Sequence, residues 1–540
     1  MTDNIKKKPI IWTLSGSDCS GGAGIAADIK TGHGLGVEVC HLITANTVQN
    51  SEQLVSVNAV SVDILQQQVA VLLDDKPPVV IKIGLLVTVV QVQWLVKLLK
   101  NIKILNSNVL SVYDPVGQAS VGGSFSTLSL KELTPLLRQV DVITPNLMEA
   151  KIFAAIADEA GANKLDVEHV SVESLAKKIY QDFAITSIII KGGHNASDEN
   201  NSLDYCYHQL NQLSDEKQDN QEKRHENISY KLSSPRLATH YSHGGGCSFA
   251  SALASFLAQG YLMRDAFMLT KAFINQGLAA SVAMSQSQQH QYYGAFEQLN
   301  WPKQALFFPR VVDDLTKQYR TLPAFNSLDL AGEQLGLYPV VDSLYWLKRL
   351  LPLGLEIIQL RIKEVSAEQL EPLISKAVEL ASRYKTRLFI NDYWQLAIKY
   401  GAYGVHIGQE DLQDADLAVI QQSGIRLGIS THGCYEFILA QQLQPSYLAI
   451  GAIFSTKTKD MTGQIQGIEN LKQGLSLRPT NQQIPVVAIG GITMERADDV
   501  VATGVESIAV VTAITQAQQS HGISPEQAVV QLQAIMIGYI

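Results

Sequence analysis

The chain has 540 residues, 46% of them hydrophobic and 17% charged, and a formal net charge of −9. That length exceeds what one hydrophobic core supports, the composition excludes a disordered polymer, and the negative charge argues against nucleic acid or an anionic membrane as partner. The five cysteines (Cys19, Cys40, Cys206, Cys247, Cys434) are odd in number and form no Cys-x-x-Cys pair. They exclude a disulfide framework and a structural zinc site, and a reducing cytoplasm is the expected setting.

No apolar run follows Lys6-Lys7-Lys8, so these lysines read as a solvated tail and not as the start of a signal peptide. Residues 10–14 then predict a strand leading into a Gly-rich turn, Ser15-Gly16-Ser17-Asp18 followed by Ser20-Gly21-Gly22-Ala23-Gly24. The apolar stretch 79–99 is interrupted by Lys82, Gln91, Gln93 and Lys97, and so predicts a buried strand and a helix, not a membrane span. Further strands are expected at 109–113, 140–143 and 187–190. They end at Asp114-Pro115, Thr144-Pro145-Asn146 and Lys191-Gly192-Gly193. Continuous apolar strands alternating with helices imply a parallel sheet covered on both faces, which binds ligands beyond its strand C-termini. Asp114, Asn146 and Glu149 are placed there to hold Mg²⁺ directly or through water, and Lys191 to neutralise phosphate.

The polar segment 195–227 reads as a solvated hairpin or loop insertion without catalytic residues. After it, Ser242-His243-Gly244-Gly245-Gly246-Cys247 runs into an apolar helix. Three glycines at a helix start point backbone N–H groups at an anion. The same positive field is expected to lower the thiol pKa of Cys247.

Residues 291–334 lack a strand rhythm, although Trp301, Phe307 and Phe308 make them more than a bare linker; they are expected to connect two domains. Strands resume at 337–342, 357–361, 387–391, 404–407, 426–430, 447–451, 486–490 and 507–511. Eight strands separated by helix-length segments in roughly 200 residues predict a (β/α)₈ barrel. Gln359-Leu360-Arg361-Ile362-Lys363 alternates polar side chains onto one face of a strand end, a cationic clamp for a diphosphate. Asp392 follows Asn391 at the next strand end and Asp411 follows Gln409-Glu410 at the one after, which suggests Mg²⁺ bridging to that diphosphate. Ser430, Thr456, Thr458 and Lys459 continue the ring. Gly490-Gly491 and Val511-Thr512 end the last two strands, where barrels build phosphate sites. His406 is expected to be a packed barrel histidine.

Several runs in the first part carry a resemblance: Ser20-Gly-Gly-Ala-Gly-Ile-Ala-Ala-Asp28-Ile-Lys30, Ile43-Thr-Ala-Asn-Thr-Val-Gln49-Asn50, Lys82-Ile-Gly84, Thr144-Pro-Asn-Leu-Met-Glu149, Lys191-Gly-Gly-His194 and the loop before Cys247. Over about residues 9–285 the chain resembles the ribokinase-like superfamily, and within it the hydroxymethylpyrimidine/phosphomethylpyrimidine kinases. The resemblance implies MgATP-dependent phosphorylation of hydroxymethylpyrimidine and then of its monophosphate. It implies that Gln49, Asp28 and Gly16 bind the pyrimidine. The amides of Gly244, Gly245 and Gly246 would form the anion hole, and Cys247 would stand where many superfamily kinases have an aspartate base. The loop reads Gly-Gly-Gly-Cys where that family usually has Gly-Thr-Gly-Cys. Another vitamin precursor of pyridoxal type, or a degenerate ligand sensor, is the alternative for this domain.

Over about residues 335–535 the chain resembles thiamin-phosphate synthase. The matching runs are Gly336-Leu-Tyr-Pro-Val-Val-Asp342, Gln359-Leu-Arg-Ile-Lys363, Phe389-Ile-Asn-Asp392, Gly404-Val-His-Ile-Gly-Gln-Glu-Asp411, Thr456-Lys-Thr-Lys459 and Val487-Ala-Ile-Gly-Gly-Ile492. This resemblance implies that Asp392 and Asp411 bind Mg²⁺. Gln359, Arg361, Lys363, Asn391, Ser430 and Lys459 would hold the pyrimidine diphosphate, and Thr456, Thr458, Gly491, Val511 and Thr512 the thiazole phosphate. The expected architecture is a ribokinase-like α/β sandwich at 1–290, a connecting region at 291–334 and a TIM barrel at 335–540. Its expected partners are small molecules, with ATP as co-substrate, and self-association is common in both families.

Overall fold

The computed structural model describes residues 7–50, 53–116, 128–155, 170–193, 200–209, 227–237, 239, 241–287, 295–328, 330, 335–363, 365–456, 465–478 and 484–538. The chain forms two compact units, Met1–Pro302 with Phe307–Val312, and Lys303–Leu306 with Asp313–Ile540. Residues 291–334 are therefore divided between the two units.

The first unit is built on ten strands: β1 (Ile10–Asp18), β2 (Glu38–Gln49), β3 (Leu54–Ala59), β4 (Val80–Ile83), β5 (Leu110–Tyr113), β6 (Val142–Ile143), β7 (Ser187–Ile190), β8 (Asn201–Gln209), β9 (Asn227–Pro235) and β10 (Arg310–Val311). Their order is β10-β9-β8-β7-β6-β5-β4-β1-β2-β3. The stretch from β7 through β2 pairs in parallel. Every residue of β4 and β7 is buried, as strands covered on both faces must be. The helix Val89–Leu105 shows how the cover forms. Thr88 caps it by accepting from the Gln91 amide, and Val92, Leu95, Leu99 and Ile102 face inward at helical spacing.

Three expectations are corrected here. β1 runs on through Ser15-Gly16-Ser17-Asp18, so the Gly-rich turn begins only at Cys19. The sheet is not wholly parallel, since β3 and β8 to β10 join antiparallel. The segment taken as a solvated insertion contributes β8, whose Asp204, Tyr205, Cys206 and Tyr207 are buried. A strand with only Leu203, Tyr205, Cys206 and Tyr207 as apolar residues, set in a run of Asn, Asp, Glu and Gln, was concealed by its polar surroundings.

The second unit is a closed parallel barrel of β11 (Gly336–Val341), β12 (Ile357–Leu360), β13 (Arg387–Asn391), β14 (Gly404–Ile407), β15 (Arg426–Thr431), β16 (Tyr447–Ile450), β17 (Val486–Ile489) and β18 (Ser507–Val510). Its interior is filled by Tyr338, Phe389 and Tyr447, with Phe389 and Tyr447 edge to face at 5.1 Å between ring centres. Glycines make that packing possible: a Cβ at Gly428 would lie 2.2 Å from the Tyr447 ring, and one at Gly404 would lie 2.3 Å from Phe389. The α/β sandwich and the eight-stranded barrel are both as expected. Among the described residues no helix is long and apolar enough to cross a membrane.

Candidate active sites

In the first unit the turn after β1 is gathered by one carboxylate. Asp18 Oδ1 accepts from the Ser20 amide and hydroxyl, both at 2.8 Å. Its Oδ2 accepts from the amides of Gly22 and Ala23 at 3.1 and 2.8 Å and lies 3.0 Å from His243 Nε2. Burial alone would raise the Asp18 carboxyl. The bonds from His243, Ser20 and Ala23 outweigh it and hold the group well below the usual carboxylate range.

This contact joins two glycine loops 225 residues apart in sequence. Gly244 has φ +84°, and a Cβ there would lie 1.9 Å from the Gly22 carbonyl oxygen, so no side chain fits. The helix Gly245–Ala258 starts at this junction. The Gly245 amide is bonded to the Ser242 carbonyl at 2.9 Å, so of the three expected anion-hole amides this one is already occupied.

Beneath the helix start, Lys191 Nζ meets Asp114 Oδ1 at 2.9 Å. A Cβ at Gly246 would be 3.6 Å from that ammonium and 3.8 Å from Asp114 Oδ2, so strand ends β5 and β7 and the glycine loop converge. Asn146 and Glu149 lie alongside, locked in a reciprocal cap of the helix Leu147–Ala155: each amide donates to the other side chain, at 2.7 and 2.9 Å. Burial pushes the Glu149 carboxyl up to about 7, with the Asp114 charge adding to it and Lys191 opposing.

Cys247 reverses the expectation of a lowered thiol pKa. Burial pushes it up to about 11, although Lys82 and a hydrogen bond from the Gly24 backbone act the other way. The helix field is real, but desolvation of the thiolate is the larger effect. Asp28, expected to hold the pyrimidine, is fully buried instead. Its oxygens are taken by Lys82 Nζ at 2.8 and 2.9 Å, Thr13 at 2.5 Å and Ser251 at 2.6 Å. It thus anchors a buried cation under the site. Burial would depress the Lys82 ammonium, but Asp28, Cys247 and Asp114 raise it above its ordinary value. Gly16 is buried on β1, where a Cβ would press Leu85. Gln49 ends β2 with 7% exposure, and its Oε1 is buried without a hydrogen-bond partner.

At the mouth of the barrel, Asp392 follows β13 with φ +65° and Asp411 follows β14. The Asp411 carboxyl lies close enough to act on Asp392, which accepts from the Gly408 amide and from Asn391 Nδ2. Burial first, then the Asp411 charge, push Asp392 up to about 6 against the opposing Arg361 cation. The clamp is looser than the strand pattern implied: β12 ends at Leu360, so Arg361 is half-buried beyond it and Lys363 is exposed. Gln359 is buried and donates to the Tyr338 hydroxyl at 3.3 Å. Ser430 Oγ lies 2.8 Å from His406 Nε2. His406 is packed inside the barrel, where burial and then Arg361 push it down to about 3, leaving it neutral.

Gly490 and Gly491 both take positive φ, and Arg496 donates to the Gly491 carbonyl at 2.9 Å while stacking on Phe454. Thr512 opens the short helix after β18, with Val511 just before it, and Thr456 is half-buried at the end of the loop after β16. Thr458 and Lys459 lie outside the described residues. Among the described residues no three His, Cys, Asp or Glu side chains cluster as a metal site on their own. Sequence reasoning had missed Asp18 with His243, the buried Lys82, and the tyrosines Tyr338 and Tyr447. The signal for Lys82 was its position as a lone cation in an apolar strand; the others had none.

Residues 18–291 match the family model "Phosphomethylpyrimidine kinase" and residues 337–514 match "Thiamine monophosphate synthase". The thiamine-phosphate synthase of Yersinia pseudotuberculosis (strain IP 31758) is 56% identical over 195 residues, 36% of this chain and 88% of that protein. That of Photorhabdus laumondii is 56% identical over 185 residues, 34% of this chain and 84% of that protein. Similar solved structures include a phosphomethylpyrimidine kinase from Clostridium difficile 630 (26% identity, TM-score 0.38, 50% of this chain and 99% of that one). A pyridoxal kinase from Staphylococcus aureus with ADP is 25% identical, with TM-score 0.42, covering 54% of this chain and 93% of that one. The chain belongs to the phosphomethylpyrimidine kinase family in its first part and to the thiamine monophosphate synthase family in its second, and is a bifunctional transferase of thiamin biosynthesis.

Proposed function

We propose that the two sites act in series, the first phosphorylating hydroxymethylpyrimidine and its monophosphate from ATP, the second joining the resulting diphosphate to thiazole phosphate. The observation that carries this reading is the Asp392–Asp411 carboxyl pair at the barrel mouth, with Arg361 close enough to act on Asp392. A half-buried and an exposed carboxyl at neighbouring strand ends, with a cation nearby, are a donor set that fits Mg²⁺, which binds through one or two carboxylates plus substrate phosphates. Bound there, the metal would neutralise charge on the departing diphosphate.

In the first site, the unpaired Gln49 Oε1 accepts from the pyrimidine amino group. Lys191 and the amides at the start of the helix Gly245–Ala258 face the transferring phosphoryl group. Asp114, with Glu149 and Asn146 behind it, supports the Mg²⁺ that accompanies ATP. The substrate hydroxyl oxygen attacks the terminal phosphorus, the bond to ADP breaks, and the hydroxyl proton is lost late. Such transfer depends on positioning and charge neutralisation more than on a strong base, which suits a thiol as weakly acidic as Cys247.

In the second site, Arg361, Lys363 and Lys459, with Asn391, hold the diphosphate, and Gln359 and Ser430 hold the pyrimidine. Thr456, Thr458, Gly491, Val511 and Thr512 hold the thiazole phosphate. The methylene C–O bond breaks, diphosphate leaves with the electron pair, and the thiazole nitrogen closes the new C–N bond on the pyrimidine-stabilised cation. No general base is needed, and neutral His406 offers none.

Purified protein given hydroxymethylpyrimidine, ATP, Mg²⁺ and thiazole phosphate is expected to release thiamin phosphate and diphosphate. Absence of product from those inputs would sink the reading. Competition by pyridoxal in the kinase half-reaction is expected to be weak, and strong competition would favour the pyridoxal-type alternative.

A further inference from the structure

Five side chains from five strands form a continuous hydrogen-bonded line through the barrel core. Gln359 Nε2 donates to the Tyr338 hydroxyl at 3.3 Å, and the Tyr338 and Tyr447 hydroxyls are 2.8 Å apart. Tyr447 Oη lies 2.7 Å from His406 Nδ1, and His406 Nε2 lies 2.8 Å from Ser430 Oγ. The line begins and ends on the two residues assigned to the pyrimidine. Resting on that assignment, we propose that this buried chain couples the faces Gln359 and Ser430 present to substrate, so that one offers an acceptor whenever the other offers a donor, and that it thereby selects an amino- over an oxo-pyrimidine.

The argument is a count of protons. Each tyrosine hydroxyl has one proton, so a hydroxyl that receives from one neighbour gives to the next. A neutral imidazole has one N–H and one lone pair and passes the same polarity on. Gln359 donates into the chain, so Tyr338 donates to Tyr447, Tyr447 to His406 Nδ1, and His406 Nε2–H to Ser430 Oγ. Gln359 then has its carbonyl oxygen left for the substrate and Ser430 its hydroxyl proton. That pair complements an edge carrying an amino N–H and a bare ring nitrogen. A 4-oxo analogue carries the inverse, a carbonyl oxygen and a ring N–H. Ser430 Oγ has a lone pair to accept from that N–H, but the carbonyl faces the Gln359 oxygen unless the amide turns and the links from it to His406 reverse. Tyr338, Tyr447 and His406 are fully or almost fully buried, so water cannot repair a broken link cheaply. Gly428 leaves the space that lets Tyr447 cross the core. These three are positioning residues, remote from the reacting atoms.

The test compares kcat/KM for 4-amino and 4-oxo forms of 2-methyl-5-hydroxymethylpyrimidine diphosphate in the full chain, with thiazole phosphate as acceptor. Intrinsic reactivity differs between the two substrates but cancels when variants are compared. Tyr447→Phe cuts the line in the middle and is expected to lower the amino-over-oxo ratio about tenfold, equivalent to about 1.4 kcal/mol. Tyr338→Phe breaks a different link and should do the same, so it carries the test if Tyr447→Phe does not fold. A wild-type ratio in either variant, with the kinase rate of the same preparation normal, overturns the proposal. Wild-type protein that cannot couple the amino substrate at all would instead overturn the assignment beneath it.

Discussion

Cys247 carries a thiol pushed up to about 11, while Cys19 is exposed. Thiolate, not thiol, reacts with alkylating agents. Iodoacetamide at neutral pH is therefore expected to label Cys19 first, with Cys247 labelling slow and accelerating as pH rises, as mass spectrometry of timed samples would report. Early labelling of Cys247 would restore the activated-thiolate picture read from the sequence. Cys247→Ala should lower phosphorylation by about 10²–10⁴-fold if the thiol handles the substrate proton, while synthesis from supplied pyrimidine diphosphate continues unchanged. Asp18 has a depressed carboxyl in the folded protein, so its contribution to stability is present above its ordinary value of 3.8 and is lost as pH falls below it. Asp18→Asn is expected to flatten the fall in thermal stability between about pH 5 and 3; an unchanged slope in calorimetry would contradict the assignment.

At the level of elements, the buried Lys82–Asp28 pair joins β4 to the helix Gly24–Gly34, and Ser251 ties the helix Gly245–Ala258 to the same carboxylate. Lys82→Met strands Asp28 in the core, a change that typically costs about 3–5 kcal/mol. Denaturant melts should show that loss in the first unit's transition, and a shift under 1 kcal/mol would mean Asp28 finds another partner. Gly244→Ala meets both the Gly22 carbonyl and a left-handed φ. It is expected to destabilise the loop by about 1–3 kcal/mol and to depress kinase turnover more than overall stability. Strands such as β4, β7 and those of the barrel were legible because they read as mainly apolar runs, interrupted by residues such as Lys82, Gln359 and His406. β8 was not, because its few apolar residues, Tyr205, Cys206 and Tyr207 among them, lie in a run of Asn, Asp, Glu and Gln. The extension of β1 through Gly16 was missed for a related reason: glycine and serine favour turns locally, and only pairing with β2 makes them strand.

On the scale of the molecule, two half-reactions that share one intermediate predict complementation. Cys247→Ala and Asp392→Asn are each expected to fail in the coupled assay, the second through loss of carboxylate charge for Mg²⁺, and an equimolar mixture should recover synthesis through free pyrimidine diphosphate. No recovery, with each surviving half-reaction intact, would mean the intermediate does not leave the molecule that makes it. The alternation of strands and helices, the two-part division of chemistry and the residue types at strand ends follow from sequence alone, since apolar periodicity and polar strand-end motifs are local properties of the chain. What the tertiary structure decided is how those groups are held and charged. It set Asp18 against His243, turned Asp28 inward onto Lys82, raised the Cys247 thiol by burial, and threaded Gln359 to Ser430 through Tyr338, Tyr447 and His406. Desolvation and hydrogen bonding between residues far apart in sequence depend on which surfaces the fold brings together, and no single stretch of chain encodes that.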